Sequence, residues 1–266
     1  MGEVTIRRVA SPREYDECVA IQRETWGRQF SETVPATILK IAQEVGGVTA
    51  AAFAPDSTML GFVFGISGIR DGELAHWSDM LAVRPAARDM GLGRRLKHFQ
   101  RTLLVESGVR SMYWTFDPLV ARNANLNIGQ LGARVSEYCT DYYGADTGSV
   151  MHTGIGTDRF IVRWRLDAEQ IPANPDSEWL PAPIVSVANP NIAADTDRVR
   201  IAIPDDIIAM LDDDPSLARA WRDTSRRAFT TYLAQGFDVI GFARSTDSAP
   251  ATYLLQRRST STDIHR

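Results

Sequence analysis

The segment Arg88-Asp89-Met90-Gly91-Leu92-Gly93 links an apolar run ending Leu81-Ala82-Val83 to an amphipathic stretch that begins at Leu92. Strand, glycine loop and helix, in that order, are the ingredients of an anion site. The first N–H groups of a helix lack intrahelical acceptors and lie at the positive end of its dipole, and glycine lets a phosphate approach the main chain. Glycines at a helix start also serve plain turns, so these residues alone indicate an anion and no particular one. Arg88, Arg94 and Arg95 either add positive charge or form a solvated helix face. Two familiar phosphate loops fit poorly. A dinucleotide fingerprint would carry a third glycine where Leu96 stands, and a P-loop would read Gly-Lys-Ser/Thr where Gly93-Arg94-Arg95 stands.

The elements around this loop follow from periodicity and capping signals. Residues 5–9 read as a strand, and Ser11-Pro12-Arg13-Glu14 forms a capping box with proline at the first helical position. The helix that follows has Tyr15, Cys18, Val19, Ile21 and Trp26 at helical spacing and ends at Gly27. A second helix is expected over 35–45, terminated by Gly46-Gly47, then strands over 48–53, 59–67 and 73–83. A long helix over 92–107 should turn Leu92, Leu96, Phe99, Leu103 and Leu104 inward. A strand at 111–116, a helix at 121–130 and β-rich segments at 134–142 and 158–166 complete the set. Alternation of this kind predicts an α/β chain with a mixed α+β sheet and helices on both faces.

Prolines at 172, 175, 181, 183 and 190 mark residues 167–198 as a surface connector. Beyond it, residues 199–266 read as a small β-α-β-β extension: strands at 199–203, 237–242 and 251–255, and a helix capped by Asp214 with Pro215 at its first position.

Composition narrows the function classes. With 44% hydrophobic and 23% charged residues, the chain is expected to fold as an ordinary globular protein. A net charge of −4 and a pI near 5.6 supply no general basic field, which argues against nucleic acid. No apolar run approaches the ~20 residues that cross a bilayer, and Glu3, Arg7 and Arg8 occupy the place of a secretory apolar core, so a cytoplasmic location is expected. Cys18 and Cys139 stand far apart, as reduced thiols do, and suggest neither a disulfide framework nor a metal site.

In this context the glycine loop resembles motif A of the GNAT superfamily of acyl-CoA N-acyltransferases, whose Gln/Arg-x-x-Gly-x-Gly/Ala loop binds the pyrophosphate of CoA. The preceding β, α, α, β, β, β order also occurs in that family, and the resemblance covers about residues 5–166. It implies a GNAT fold over 1–166, with acyl-CoA as cosubstrate and acetyl-CoA as the default donor. It also implies that the main chain at Leu81, Ala82 and Val83 bonds the pantetheine arm, while the amides of Asp89, Met90, Gly91, Leu92, Gly93 and Arg94 cradle the pyrophosphate beside Arg88. Leu131-Gly132-Ala133 is similar to a Leu-Gly-Phe found later in the family. That alignment places Ile128 where many relatives carry the tyrosine that protonates the CoA thiolate, and Ala121 where they carry asparagine. Asn123 or Asn127 could bond pantetheine or thiol instead, and Tyr138, Tyr142 and Tyr143 are nearby acids whose ordinary role is packing.

N-acyl transfer requires a neutral amine, hence a base near the acyl carbon. Asp79, four residues before Val83 on the same strand face and so two pleats farther from the glycine loop, is the leading candidate. His76, His98 and His152 read as ordinary polar residues. Trp77, Trp114 and Phe116 could wall an acceptor pocket, although strand aromatics usually belong to the core. If the sheet splays between the strands of Leu81 and Trp114, as in the family, the thioester would sit there with main-chain amides on its carbonyl. The expected reaction is direct transfer of an acetyl group, or a succinyl group by weaker likeness to a GNAT subgroup, to a small-molecule amine such as an amino acid. The alternative is a CoA-responsive binding module without turnover. The extension could serve a homodimer.

Overall fold

The strand β1 (Thr5–Arg8) leads into helix α1 (Pro12–Trp26), whose start is fixed by a reciprocal cap. The Glu14 amide donates to Ser11 Oγ at 3.3 Å, and the Glu14 carboxylate accepts from the Ser11 amide at 3.4 Å. There follow α2 (Ala36–Glu44), β2 (Val48–Phe53), β3 (Met59–Arg70), β4 (Glu73–Val83), α3 (Leu92–Glu106) and β5 (Ser111–Phe116). A short helix α4 (Ala121–Ala124) runs into a π-helical turn, Asn125–Gln130, and then β6 (Arg134–Cys139) and β7 (Arg159–Arg165). The remaining elements are β8 (Ile184–Val185), β9 (Arg198–Ile203), α5 (Ile207–Asp213), α6 (Pro215–Ala234), β10 (Phe237–Ala243) and β11 (Ala251–Arg257). The computed structural model describes residues 3–144, 147–149, 154–168, 179, 181–193 and 195–259. No helix among them is long and apolar enough to cross a membrane.

The chain divides into two units. One comprises Met1–Thr115, Tyr143–Thr157 and Ile161–Gln170; the other comprises Phe116–Tyr142, Asp158–Phe160 and Ile171–Arg266.

In the first unit the strand order is β1-β2-β3-β4-β5-β7. Neighbours from β1 to β4 pair antiparallel, and β4 pairs parallel with β5. Every residue of β2 is buried, which requires cover on both sheet faces. On one face Tyr15, Cys18 and Ile21 of α1 and Leu39 and Ala42 of α2 share a core with Phe62, Phe64, Met80 and Ala82. The other cover is α3, which packs on β2, β3 and β4 and buries Leu92, Leu96, Lys97, Gln100 and Leu104. Phe99 and Leu103, expected inward, are only half-buried, and two polar side chains take their place in the stripe.

A bulge interrupts β4. The β3–β4 register passes from Phe64↔Met80 to Ile66↔Trp77, so Ser78 and Asp79 together oppose Gly65. Room for the extra residue comes from the glycine. A Cβ at Gly65 would lie 2.4 Å from the Trp77 carbonyl oxygen and 2.9 Å from Ser78 Cα, both backbone atoms that cannot swing aside. Side-chain alternation inverts across the bulge: Met80 and Ala82 join the α1–α2 core, whereas Ser78, of the same parity, reaches α3. The simple count from Val83 back to Asp79 therefore does not carry through this strand.

The second unit holds a sheet in the order β10-β11-β9-β8, antiparallel except at β8–β9. Phe229 of α6 packs edge-on against Phe160 at 4.8 Å between centroids and against Tyr253 at 5.3 Å. Beneath this cluster Arg222 donates to Asp117, Arg226 donates to Asp158, and Tyr138 donates to Asp158. Residues beyond Ile171 thus share one core with 116–142 and 158–160. Helix α5, capped by Asp206, and strand β8 are elements that the periodicity did not reveal. Prolines 172 and 175 lie outside the described residues.

Gly65→Ala forces either loss of the bulge or a shift of backbone. Overpacking of this kind typically costs ~1–3 kcal/mol. Urea denaturation should show that loss, and a midpoint equal to that of the parent protein would contradict this account of the bulge.

Candidate active site

The turn after β4 begins with the 3₁₀ turn Pro85–Ala87 and reverses through two left-handed residues, Asp89 at φ 65° and Gly91 at φ 67°. Gly91 caps α3 without any side-chain hydrogen bond, and a Cβ built on it would meet nothing within 4 Å. The space over the helix start is open. The first capping bond of the helix runs from the Arg95 amide to the Gly91 carbonyl at 3.1 Å. Among the described residues no acceptor meets the amides of Asp89, Met90, Gly91, Leu92, Gly93 or Arg94. Six donors thus gather at the positive end of a 15-residue helix. Arg88 and Arg94 are exposed beside them, and their side chains make no ion pair or hydrogen bond among the described residues. Arg95, by contrast, donates to the Val4 carbonyl at 2.8 Å and is committed elsewhere.

Upstream, β4 and β5 separate. Their parallel ladder runs Ala75↔Ser111, His76↔Met112 and Trp77↔Tyr113 and then stops. From Ser78 to Val83, and at Trp114 and Thr115, alternate N–H and C=O groups turn toward an opening instead of a partner strand. Leu81 and Val83 are half-buried along it, while Ala82 is buried in the α1–α2 core.

Asp79 stands at the bulge, where this opening begins. Its side chain is exposed, yet surrounding protein desolvates it enough to raise its carboxyl above the ordinary aspartate range, with Glu32 adding like-charge repulsion. Asp79 has no hydrogen bond or ion pair among the described residues. Glu32, in the segment joining α1 to α2, accepts from Ser31 Oγ at 2.9 Å. The Ser31 amide in turn donates to the Thr147 carbonyl at 3.0 Å.

Across the opening, Thr115 Oγ1 and Tyr143 Oη lie 2.9 Å apart. Trp114 faces α3, so alternation turns Thr115 to the opposite face. A phenol is thereby brought to the β5 side of the gap while a carboxylate stands on the β4 side. Of the other tyrosines considered, Tyr138 is occupied as a donor to Asp158, with burial the largest cause of its raised pKa, and Tyr142 is exposed.

The remaining candidates fall elsewhere. Asn123 lies in α4 and Asn127 is buried in the π-helical turn, both in the second unit; the Asn127 carbonyl accepts from the Ala133 amide at 2.9 Å. His98 packs edge-on against Trp164 at 5.4 Å. His152 lies outside the described residues. Neither cysteine offers a ready thiolate: burial pushes Cys18 up to about 12 and Cys139 up to about 11. Trp77 is half-buried, and Trp114 and Phe116 are buried, as packing aromatics are. Three features were not singled out beforehand: Glu32, the Thr115–Tyr143 pair, and a buried polar chain ending at Lys97. Lys97 and Gln100, polar residues among the buried leucines of α3, form the α3 side of the last.

Solved structures share this architecture. An N-acetyltransferase of Staphylococcus aureus Mu50 aligns with 62% of this chain and 100% of its own at 13% identity, TM-score 0.50. A Salmonella typhimurium protein assigned as an acetyltransferase, solved with acetyl-CoA, aligns with 66% of this chain and 99% of its own at 19% identity, TM-score 0.50. The fold is the GNAT acetyltransferase fold. At these identities the likeness to GNAT proteins is one of fold. No family model and no curated protein sequence matches the chain. Within the GNAT fold, the splayed β4–β5 pair and the bare helix start just described are this chain's own geometry.

The raised pKa of Asp79 has a consequence for stability. A carboxyl raised in the folded state adds its full stability only below its unfolded pKa, about 3.9 in model peptides, and that stability is lost as pH rises through the folded value. Asp79→Asn removes the charge and should raise Tm at pH 7 while changing it little at pH 3. A lower Tm at pH 7 would mean that the carboxylate is stabilised by partners not identified above.

Proposed function

We propose that this chain is an acyl-CoA-dependent N-acyltransferase, with acetyl-CoA as donor and a small-molecule amine as acceptor. The observation that carries the reading is a conjunction on one strand. The β4–β5 ladder ends at Trp77↔Tyr113, and the same β4 then delivers six unsatisfied amides at the start of α3. A diphosphate held by those amides lets pantetheine run back along Val83, Ala82 and Leu81 as an added strand, so that the thioester reaches the opening.

The reaction follows from the groups at that opening. The neutral amine attacks the thioester carbonyl carbon, and main-chain N–H groups freed by the splay receive the developing oxyanion. Asp79 takes the proton that the attacking nitrogen loses, and its raised pKa brings it nearer to the operating range of a base. The carbon–sulfur bond then breaks, leaving an amide and a thiolate. Tyr143, oriented by Thr115, is placed to return a proton to that sulfur. Asp79 and Glu32, both without a cationic partner among the described residues, create a negative field that draws a protonated amine toward the site, where it gives one proton to solvent before the neutral form attacks. The same field disfavours a donor ending in a carboxylate, so acetyl-CoA is preferred over succinyl-CoA.

Gly93 tests the pyrophosphate loop better than Gly91. Gly91 occupies a left-handed conformation in which any side chain is strained, whereas Gly93 does not. Gly93→Val should weaken acetyl-CoA binding at least tenfold by calorimetry with Tm little changed. In parallel, acetyl-CoA mixed with a panel of amino acids and other primary amines should release free thiol only when acceptor is present. Saturable CoA binding with no acceptor-dependent thiol would establish the binding-module alternative instead.

A further inference from the structure

A chain of polar side chains lies beneath β4, and its hydrogen-bond direction is set from end to end. The single hydroxyl hydrogen of Ser67 is donated to the Gly46 carbonyl at 2.8 Å. His76 Nδ1, 3.0 Å from Ser67 Oγ, must therefore be the donor of that pair. Burial, with Lys97 nearby, lowers the His76 pKa to about 3, so the ring is neutral and Nε2 is an acceptor. The Gln100 side-chain amide donates to Nε2 at 3.0 Å, and Gln100 Oε1 accepts from the Ser78 hydroxyl at 2.8 Å. Ser78 Oγ, its hydrogen spent, accepts from Lys97 Nζ at 2.8 Å. Every donor in the series has one acceptor, and Lys97 is the origin.

Lys97 is an odd residue to find there. It is 2% exposed, has no carboxylate within ion-pair distance among the described residues, and holds Nζ 3.9 Å from the centroid of the Trp114 ring. Burial pushes its amine well below the ordinary lysine range. One hydroxyl and one indole face are poor recompense for removing an amine from water, so an apolar side chain of equal length would serve stability at least as well. What the amine touches suggests its use. Ser78 and Trp114 are the first residue on each strand beyond Trp77↔Tyr113, where the β4–β5 ladder ends.

We propose that Lys97 is a positioning residue that bridges the apex of the opening, fixing Ser78 and Trp114 relative to each other and thereby holding the bulge that presents Asp79. The catalytic consequence rests on the acyltransferase reading; the effect on the bulge does not. Lys97 acts from beneath the strand through the Ser78 side chain, and no contact with acyl donor or acceptor is required of it.

The test uses Lys97→Met, which keeps length and removes the donor. Tm should be unchanged or higher, and acetyl-CoA affinity by calorimetry should stay within twofold. Hydrogen exchange at the amides of Ser78, Asp79 and Met80 should accelerate at least tenfold, and acetyl transfer to whichever amine of the panel is accepted should fall at least tenfold in kcat. Ser78→Ala should reproduce both effects from the other end of the bond. Lys97→Met/Ser78→Ala should be no worse than Lys97→Met alone, and Ser78→Thr should retain parent behaviour. Parent-like exchange at residues 78–80 in Lys97→Met would overturn the positioning role whether or not the protein turns over. Loss of Tm with kcat preserved would show Lys97 to be purely structural. Absence of turnover in the parent protein would instead count against the acyltransferase reading and leave the exchange experiment to decide the role of Lys97.

Discussion

A bulge disturbs strand pairing locally, and in β4 it coincides with the end of pairing on the opposite edge. In β4 the extra residue is accommodated opposite Gly65, where any side chain would collide with backbone, and the parallel ladder to β5 ends at the residue before it. Everything proposed about the site descends from that local failure of pairing. Main-chain donors and acceptors that a regular sheet would consume remain available along Ser78 to Val83. Aspartate at the bulge is exposed and desolvated at once because it lies where the two strands part.

Charge is distributed to match. The far end of β4 delivers the chain to a helix start whose amides are unsatisfied and whose nearest free side chains are Arg88 and Arg94, a positive region suited to phosphate. Where the opening begins, Asp79 and the neighbouring Glu32 have no cationic partner among the described residues, a negative region suited to an amine. One strand of 11 residues thus separates two opposite fields, and the proposed reaction would draw donor and acceptor to different ends of it. Buried polarity in the second unit has another character. There the carboxylates of Asp117 and Asp158 are matched by Arg222, Arg159 and Arg226, which joins α6 to the segments around Phe116 and Phe160. Lys97 differs from these residues in having no such counter-charge, and that difference is what marks it as a residue kept for position.

Local signals in the sequence were strong where local physics decides. The Ser11–Glu14 capping box, Pro215 after the Asp214 cap and the glycine loop before Leu92 are each specified by residues within one helical turn, and each is present. The bulge was not legible, because it depends on which residue of β3 faces Asp79, a matter of long-range register. Counting by twos from Val83 fails for that reason. Phe99 and Leu103 looked inward on apolar character, yet the buried stripe runs through Lys97 and Gln100, whose polar ends are satisfied by β4 and by an indole from β5. Tyr143 was one of three tyrosines near one another in sequence; only its bond to Thr115 distinguishes it. The π-helical turn at Asn125–Gln130 likewise has no signature in a segment of ordinary helical propensity.

The proposed donor site depends on bare amides at the start of α3 holding a diphosphate. Amide-resolved NMR during titration with CoA, and separately with pantetheine, which lacks the diphosphate, addresses it directly. Large, saturable shifts are expected at Met90, Gly91, Leu92, Gly93 and Arg94 with CoA, and little change there with pantetheine. Binding of CoA that leaves those five resonances in place, with the shifts gathered elsewhere on the protein, would contradict it.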